Sequence, residues 1–558
     1  MKCLIFEDEH LLVVDKPAGW NTHAPSPYAG EGIYDWLRHR EARWARLAII
    51  HRLDKDTSGV MVFTKTPLAN RSLTGQFTAR SVRKKYLMLT DRPIGWKEVT
   101  AKGALVRAGE RYVSRPLHAG GELAETHFRA GTIRKSEVGG IGGCQIVEAE
   151  PLTGRTHQIR VHAAEQGFPI LGDTLYGGTP AARVYLHAAE LTLKHPASGE
   201  ETTFRAPTGP GWAGATSADS APACEGRAEP MGPLPCLAIR EALIESDATN
   251  AYRIIQGGSD GWPGWYVERL GEFLLSQSES ALTSAQRDAI GRLADVCSSR
   301  GAYHKILTRQ PCRTARAVAS PQLLLGQAAP GQFPVRENGL QFELSFDEGY
   351  SVGLFLDQRD NRRRLLTSHI ASDFPLLQLT TGNRPWELLN AFAYTCGFSL
   401  CAAKAGARTT SLDLSKRWLD WGKRNFVLNQ LDPAGHEFIQ GEVFDWLRRL
   451  GKKGRHFDVI VLDPPTFSQS KESGTFRAEK DYGRLVSAAL PLLRTGGVLL
   501  ASTNAADWRP EEFLAEVDEA IRAATRRVLQ RHYVPQPPDF PISRAEPAYL
   551  KTVWLRVE

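Results

Sequence analysis

The sequence predicts a multidomain chain with an α+β antiparallel-sheet domain, a small α/β central domain and an α/β doubly wound (Rossmann-like) domain. Three observations carry this prediction. Residues 1–207 contain short apolar runs between Gly, Pro and Asp turns, a segment rich in Pro, Gly and Ala follows, and from about Leu354 short β-type runs alternate with helical stretches. The first pattern is typical of antiparallel sheets and the last of parallel sheets covered by helices.

The bulk composition narrows the class of protein. A chain of 558 residues holds three or four domains at about 100–200 residues each, and 42% apolar residues exclude a disordered or fibrous chain. Neither a spanning apolar run nor a signal peptide is visible, so we expect a cytoplasmic protein without membrane contact. The eight cysteines form no CxxC pair, which favours reduced, mostly buried thiols.

Changes in composition suggest four segments. A first domain is predicted for residues 1–207, and residues 208–236 are predicted to be a flexible linker with almost no large apolar residue. A small strand-rich central domain is predicted for residues 237–345 and a doubly wound domain for residues 346–558. The predicted strands at residues 11–14, 60–63 and 86–89 build the first domain, and those at 386–389, 409–412, 459–462 and 497–501 build the last.

The sharpest motif of the first domain is His51-Arg52-Leu53-Asp54-Lys55-Asp56-Thr57-Ser58-Gly59. It places a carboxylate between basic side chains on a tight turn, a pattern that in isolation more often marks a structural salt bridge. Three further segments change this interpretation: Val82-Arg83-Lys84-Lys85-Tyr86, Gly154-Arg155-Thr156-His157-Gln158-Ile159-Arg160-Val161-His162 and Gly172-Asp173-Thr174-Leu175-Tyr176-Gly177.

In order and spacing these segments resemble the RluA-type pseudouridine synthases, over about residues 6–207. The resemblance implies that uridine in ribosomal or transfer RNA is isomerised to pseudouridine, a reaction that requires no metal, redox step or other cofactor. It assigns the catalytic carboxylate to Asp54, which attacks C1′ or removes a sugar proton. Arg160 is then the guanidinium that stabilises this charge, and Tyr86 stacks on the base and helps remove its C5 proton.

The same resemblance implies an RNA-binding surface. Arg52 is predicted either to fill the space left by a flipped base or to contact the flipped region, and Lys84 and Lys85 are predicted to border the phosphate path. The net charge of +7 is only a weak indication of nucleic acid. Three basic clusters lie at residues 80–85, 362–364 and 448–455. Each is as typical of a solvated face as of an RNA-binding surface.

No metal site is predicted from the histidines of these motifs. His51, His157 and His162 lie in the first domain without a carboxylate or thiol at a spacing that completes a ligand set.

A second chemical site is predicted in the last domain. Residues 388–397 (LLNAFAYTCG) follow a strand and precede a helix, and the next strand ends at Asp413, 23 residues beyond Asn390. An acid at that place binds ribose hydroxyls in doubly wound sheets, while the absence of GxGxxG argues against a dinucleotide. A third element, Asp463-Pro464-Pro465-Thr466-Phe467, places a carboxylate, a rigid turn and a ring at the ligand-binding edge of the sheet.

These elements resemble the RlmI/RlmK group of RNA methyltransferases, over about residues 250–555. Further matching segments are residues 353–359 (GLFLDQR), 413–415 (DLS) with Trp421 and Asn425, and 463–471 (DPPTFSQSK); residues 252–269 resemble the group's small central domain. The resemblance implies methylation of a base of 23S ribosomal RNA with S-adenosylmethionine (SAM) as the cofactor. The closer likeness is to RlmK, which implies N7 of guanine.

The resemblance also assigns site residues. The predicted cofactor-binding residues are Asn390, Phe392, Tyr394, Gly397, Asp413, Glu442, Asp463 and Pro464. Asp463 is in addition the predicted catalytic residue, and Phe467 is predicted to stack on a flipped base. Cys396 departs from the small Gly that is usual at its position, and a thiol there is expected to narrow the loop.

The distribution of cysteines bears on the methylated atom. Methylation of cytosine C5 uses a cysteine thiolate that attacks C6, and no cysteine follows Cys401 in this chain. An atom with its own lone pair is therefore predicted, with guanine N7 first and an exocyclic amine second. Two other hypotheses stay open: one half is a non-catalytic RNA-binding delivery module, or the second half methylates a small molecule. The sequence indicates no particular oligomeric state.

Overall fold

The computed structural model describes residues 2–133, 143–208, 212, 235–307, 320–349, 351–378, 384–470 and 474–558. They form two compact units. The first comprises Met1–His23, Gly32–Tyr34 and Arg46–Ile244, and the second Ala24–Glu31, Asp35–Ala45 and Glu245–Glu558.

The predicted linker falls mostly outside the described residues. Within it, Trp212 is described and is buried in the first unit, with its ring 5.8 Å from that of Tyr185. The helix Pro235–Leu243, which begins one residue before the predicted end of the linker, also belongs to the first unit. The predicted domain boundaries stay predictions.

The first unit is built on one eleven-stranded sheet, as the alternating apolar runs predict. The order is β1-β2-β4-β10-β5-β9-β8-β6-β7, with β3 paired to β4 and β11 to β10. The strands are β1 Leu4–Glu7, β2 Leu11–Lys16, β3 Ala48–Ile49, β4 Ser58–Thr64, β5 Arg83–Thr90, β6 Glu98–Ala108, β7 Arg111–Arg115, β8 Glu122–Ile133, β9 Gln145–Pro151, β10 Leu186–Lys194 and β11 Glu201–Arg205.

One pairing in this sheet differs from the rest. β4 and β10 run parallel, whereas all other paired strands of the sheet are antiparallel. β4 is buried along its whole length, and apolar residues of β2, β4 and β10 form a shared core. The parallel contact brings the start of β4 next to the start of β10, which in turn pairs with β5.

Helices cover both units. In chain order they are α1 Ile33–Arg40, α2 Pro67–Thr78, α3 Gln158–Glu165, α4 Pro235–Leu243, α5 Ser284–Val296, α6 Arg359–Leu366, α7 Gly397–Lys404, α8 Lys416–Leu428, α9 Val443–Lys452, α10 Ala478–Ala489 and α11 Pro510–Ala523. Among the described residues, no helix has the length and apolar character needed to cross a membrane.

The second unit begins with the predicted strand-rich part. It contains a five-stranded sheet in the order β12-β13-β14-β15-β16 and the hairpins β17-β18 and β19-β20. These strands are β12 Ala251–Gln256, β13 Trp265–Leu270, β14 Phe273–Ser278, β15 Gly301–Ile306, β16 Gln322–Gly326, β17 Phe333–Glu337, β18 Leu340–Leu344, β19 His369–Ala371 and β20 Phe374–Pro375.

The rest of the second unit has a seven-stranded sheet in the order β23-β22-β21-β24-β27-β29-β28, and a hairpin β25-β26. The strands are β21 Glu387–Ala391, β22 Arg408–Asp413, β23 Glu437–Gln440, β24 Phe457–Leu462, β25 Phe467–Ser470, β26 Gly474–Arg477, β27 Leu493–Thr503, β28 Val528–Val534 and β29 Lys551–Val557. The first five strands of the sheet are parallel, and β29 pairs antiparallel with both β27 and β28. The predicted doubly wound fold is confirmed.

Strand order fixes where a ligand can bind in this sheet. The order reverses between β21 and β24, and ligands bind outside the carboxyl ends of the strands at such a switch point. The predicted motifs begin at these ends: the loop after β21, the acid at the end of β22 and the Asp-Pro-Pro turn after β24.

Candidate active sites

The loop that carries Asp54 is fixed from beneath by buried hydrogen bonds. The Thr22 hydroxyl donates to the Leu53 carbonyl at 2.7 Å and accepts from the Leu53 amide at 3.2 Å. The Lys16 ammonium, which is fully buried, donates to the Lys55 carbonyl at 3.0 Å. Asp54 itself is half-buried, so its carboxylate is presented by a loop with little freedom to move.

The last residue of the motif, Gly59, lies at a position that only glycine can occupy without strain. Its φ of +117° is rarely open to other residues, and a Cβ at this position would lie 2.2 Å from the Ala188 carbonyl oxygen. Glycine therefore permits the close parallel approach of β4 to β10. Tyr86 is the β5 residue opposite Ala188, so the approach brings Asp54 and Tyr86 to one place.

Tyr86 lies close enough to Asp54 for the Asp54 charge to affect the pKa of its hydroxyl. Burial and the nearby Asp54 carboxylate both raise the pKa of the Tyr86 hydroxyl above its usual value. The hydroxyl is therefore protonated at neutral pH, and any proton that it accepts must be matched by one that it gives away.

Arg160 has a different closest partner from the one predicted. It lies on α3, is buried, and donates two hydrogen bonds to Asp173, at 2.7 and 2.8 Å. Its guanidinium also lies 5.1 Å from the centre of the Tyr176 ring. Burial alone would lower the pKa of Arg160, but the bonds and charge of Asp173, together with the charge of Asp54, outweigh it and raise this pKa. Arg160 is thus a fixed cation near Asp54.

The predicted RNA-binding side chains differ in their surroundings. Arg52 is exposed. Lys84 donates to the Thr153 carbonyl at 3.4 Å, and burial lowers its pKa. Lys85 forms an ion pair with Glu148 at 2.8 Å, so its charge is already balanced. Contact with RNA stays a prediction for all three.

Two residues of this site were not singled out from the sequence. Lys16 lies outside the four segments quoted above, and Asp173 lies in the last of them, residues 172–177, without an assigned role. Neither a buried lysine that binds carbonyls nor the partner of an arginine has a local signature, because the sheet and α3 bring these groups together from distant segments.

The second unit contains a cavity of about 380 Å³ at the switch point of its parallel sheet. Seven of the eight predicted cofactor residues line it: Phe392, Tyr394, Gly397, Asp413, Glu442, Asp463 and Pro464. Aromatic rings that the sequence did not assign complete its walls, namely Phe355, Trp418, Phe444 and Phe476.

Asp413 is held in place by the backbone. One of its carboxylate oxygens accepts the Tyr394 amide and the other the Ser415 amide, both at 2.8 Å. Burial raises the pKa of Asp413, and these two bonds partly offset the rise. Each oxygen keeps a lone pair for a ligand hydroxyl. Glu442, the N-cap of α9, lines the same cavity.

The loop between β21 and α7 is strained. Phe392, Tyr394 and Cys396 have φ angles of 63°, 49° and 63°, a region that non-glycine residues rarely adopt. Cys396 lies outside the cavity lining: its side chain is buried and points at α8, where a Cβ on Gly422 would lie 2.3 Å from its sulfur. A glycine in α8 thus accommodates the thiol. The expected narrowing of the loop stays a prediction.

Two predicted residues lie outside the cavity lining. Asn390 is buried behind the loop, where its amide donates to the Ser399 hydroxyl at 3.0 Å. Phe467, at the start of β25, is 47% exposed. Cofactor binding by Asn390 and base stacking by Phe467 stay predictions.

Asp463 is joined to a network that the sequence did not assign. The Gln358 amide donates to Asp463 at 3.2 Å and to the Ser502 hydroxyl at 2.8 Å. Burial raises the pKa of Asp463 to about 7, and the nearby Asp357 carboxylate adds to this rise. Asp357 and Gln358 belong to the segment GLFLDQR, which was noted only as part of a resemblance.

The arginine cluster at residues 362–364 is largely internal. Arg362 and Arg364 are buried, and Arg362 donates to both Glu337 oxygens, at 2.6 and 2.7 Å. These two side chains stabilise the fold of the second unit, so the cluster does not form an RNA-binding patch.

Comparisons with known proteins agree with both resemblances. The chain matches the family of RNA pseudouridylate synthases over residues 10–165 and the family of S-adenosylmethionine-dependent methyltransferases over residues 316–556. The human RNA pseudouridylate synthase domain containing 1, a solved structure, is 25% identical and covers 37% of this chain and 82% of its own, with a TM-score of 0.31.

Two relatives match the second part of the chain. The ribosomal RNA large subunit methyltransferase of Deinococcus radiodurans is 34% identical over 318 residues, which are 56% of this chain and 73% of that protein. The ribosomal RNA large subunit methyltransferase I of Salmonella arizonae is 32% identical over 324 residues, 57% and 76% of the two chains. The chain therefore belongs to the SAM-dependent methyltransferase family that includes these RlmI-related enzymes, and it carries an RluA-type pseudouridine synthase domain at its N-terminal end.

Proposed function

We propose that the chain isomerises uridine to pseudouridine at its first site and methylates N7 of a guanine at its second. Large-subunit ribosomal RNA is the proposed methyl acceptor, because the relatives of the second part are named for that RNA. Ribosomal and transfer RNA are both proposed substrates of the isomerisation.

At the first site, Asp54 is the proposed central carboxylate. The loop that carries Asp54 is fixed by hydrogen bonds, and Arg160 supplies a permanent positive charge that stabilises the Asp54 carboxylate. The Tyr86 hydroxyl, which burial and Asp54 keep protonated, can accept the C5 proton of the base only while passing its own proton on. The base has to leave its stack to reach these groups, and exposed Arg52 is placed to contact the RNA around it.

At the second site, the lining fits SAM. Asp413 and Glu442 offer oxygens for ribose hydroxyls, and the aromatic walls suit an adenine ring. When bound, this cofactor supplies an electrophilic methyl group. The residues of the chain then have to position the acceptor base, and exposed Phe467, which follows the Asp-Pro-Pro turn, is the proposed stacking partner.

The absence of a usable thiol carries the proposal for the methylated atom. Within the part of the chain that the structure describes, no cysteine lines the cavity. Cys396 and Cys401 are buried, and burial raises the pKa of the Cys396 thiol to about 12. Since methylation of cytosine C5 needs prior attack of a thiolate on C6, while guanine N7 has a lone pair and no proton to lose, we favour N7.

The proposal is tested by mass spectrometry of nucleosides from ribosomal RNA after reaction with the full chain and SAM. We expect 7-methylguanosine, and the Cys396→Ser and Cys401→Ala variants should form it as the unaltered chain does. An N-methylated exocyclic amine as the product would favour the alternative in which Asp463 accepts hydrogen bonds from that amine. Detection of 5-methylcytidine, with loss of activity in either cysteine variant, would contradict the proposal.

A further inference from the structure

Two acidic side chains face the methyltransferase cavity without a cationic partner among the described residues. Asp357 lies in the 3₁₀ turn Leu356–Gln358 just before α6, and Asp463 follows β24. Each carboxylate is held by a neutral donor: the Tyr549 hydroxyl donates to Asp357 at 3.0 Å, and the Gln358 amide donates to Asp463 at 3.2 Å. These bonds fix the positions of two carboxylates but neutralise neither.

The ionisable groups around the pair are already engaged. Arg362 on α6 lines the cavity, but its guanidinium binds both Glu337 oxygens and the Phe355 carbonyl. Arg253 on β12 pairs with Glu268 on β13 at 2.7 Å. These cations act on the pair only from a distance. From α10, the Tyr482 hydroxyl is bonded to backbone groups of residues 462 and 502.

Ionisation of both carboxylates therefore costs free energy, because two negative charges lie near each other in a buried place. Burial raises the pKa of Asp357 and, with the added charge of Asp357, raises that of Asp463 to about 7. Such a pair retains a proton near neutral pH. A cation placed beside the two carboxylates would remove that cost and release the proton.

Taking SAM as the methyl donor of this cavity, we infer that Asp357 and Asp463 together recognise the sulfonium charge of the bound cofactor. Asp357 is then a specificity residue that favours SAM over its demethylated product, S-adenosylhomocysteine (SAH). The two molecules share the adenosine, the amino group and the carboxylate, and differ in one methyl group and one permanent positive charge. Loss of that charge after methyl transfer weakens binding and promotes release of the product.

The direction of the pH effect follows from charge balance. SAM binds best to the ionised pair, so its affinity falls as the pH drops below about 7, where the free pair takes up its proton. The fall is at most about tenfold per pH unit for one proton. SAH is neutral at sulfur, so its affinity should vary much less over the same range.

The first experiment uses the full chain. Calorimetric titrations with SAM, SAH and sinefungin, whose amine places a charge near the sulfonium position, are run from pH 5.5 to 8.5 in buffers of different ionisation enthalpy. We expect SAM and sinefungin to release up to one proton near pH 7 and to gain affinity with pH, and SAH to do neither. Equal pH profiles and equal proton release for SAM and SAH would overturn the inference.

The second experiment compares two charge-removing variants that line the same cavity. Asp357→Asn should weaken SAM about tenfold or more at pH 8 and SAH less than about threefold, whereas Asp481→Asn on α10 should leave the SAM-to-SAH ratio unchanged. Equal weakening of both ligands by Asp357→Asn would place Asp357 against a part that they share, and unchanged affinity for both ligands would show that it has no role in binding; either result overturns the inference. Methyl transfer by the unaltered chain is measured alongside, so that failure of the proposed activity is recognised separately.

Discussion

Asp54 and Asp463 illustrate how surroundings decide what a carboxylate can do. Asp54 lies near Arg160, a cation that Asp173 fixes in place, so the nearest described influence on it is a positive charge. Asp463 lies near another carboxylate, Asp357, and has a pKa raised to about 7 by burial and by that neighbour. The first environment favours nucleophilic or basic chemistry, and the second favours binding of a cation.

Asp54→Asn removes the negative charge and keeps the size of the side chain. We expect pseudouridine formation to fall by several orders of magnitude, because an amide can neither attack C1′ nor accept a sugar proton. Methyl transfer by the same protein should be unchanged. The measurement is pseudouridine content by mass spectrometry after reaction with RNA that lacks the modification.

Asp56→Asn is the matched control, since it removes the same charge two residues away in the same loop. It should reduce pseudouridine formation by less than about tenfold, a change of at most about 1.4 kcal/mol in the barrier. Substantial activity of Asp54→Asn, or equal loss in both variants, would show that Asp54 is not the central group.

At the scale of elements, the parallel contact between β4 and β10 positions the first site. It joins the Asp54 loop to the strand that pairs with Tyr86, and it depends on the missing side chain of Gly59. The second site depends in the same way on a loop that holds Phe392, Tyr394 and Cys396 in the left-handed region. Both sites are thus set by backbone geometry that few residues can adopt.

Gly59→Ala should disturb the first site without removing any of its functional groups. The added methyl group would meet the Ala188 carbonyl at 2.2 Å and φ would remain at +117°, so we expect destabilisation of roughly 1–3 kcal/mol and a loss of pseudouridine formation. Thermal unfolding and the isomerisation assay measure both effects.

Gly75→Ala on α2 is the control for this variant, because a Cβ there has no neighbour within 4 Å. It should stabilise the helix by up to about 1 kcal/mol and leave isomerisation intact. Full activity of Gly59→Ala would contradict the role assigned to the close approach of the two strands.

Much of the fold could be predicted because local sequence patterns indicate its strands. The apolar runs at residues 60–63 and 459–462 correspond to β4 and β24, and the motifs that follow or precede them place Asp54 and Asp463. The partners of these residues could not be predicted, because Asp173, Gln358 and Lys16 reach the sites through tertiary contacts. Trp212 was assigned to a linker since its neighbours in sequence are small, yet its ring packs on Tyr185.

At the scale of the whole molecule, the two candidate active sites lie in separate units. A fragment ending at Ile244 contains the whole first unit together with Ala24–Glu31 and Asp35–Ala45 of the second, and we expect it to form pseudouridine without SAM. A fragment ending at Pro207 lacks Trp212 and α4 and should unfold at a lower temperature, because loss of a buried aromatic side chain costs about 3–5 kcal/mol. Thermal unfolding and pseudouridine assays of the two fragments test this.

Trp212→Ala in the full chain is the matching variant and should lower the stability of the first unit while methyl transfer is retained. A folded fragment ending at Ile244 that makes no pseudouridine would refute independent activity, and equal stability of the two fragments would refute the role of Trp212.

The position of β29 affects what happens to incomplete chains. It is the last strand in the sequence but lies between β27 and β28, and it is buried along its whole length. A polypeptide that terminates early, before residue 551, would therefore expose one side of β27 and leave β28 without a partner. Unpaired apolar edges of this kind promote aggregation. We expect premature stop codons that remove β29 to yield insoluble or rapidly degraded methyltransferase units.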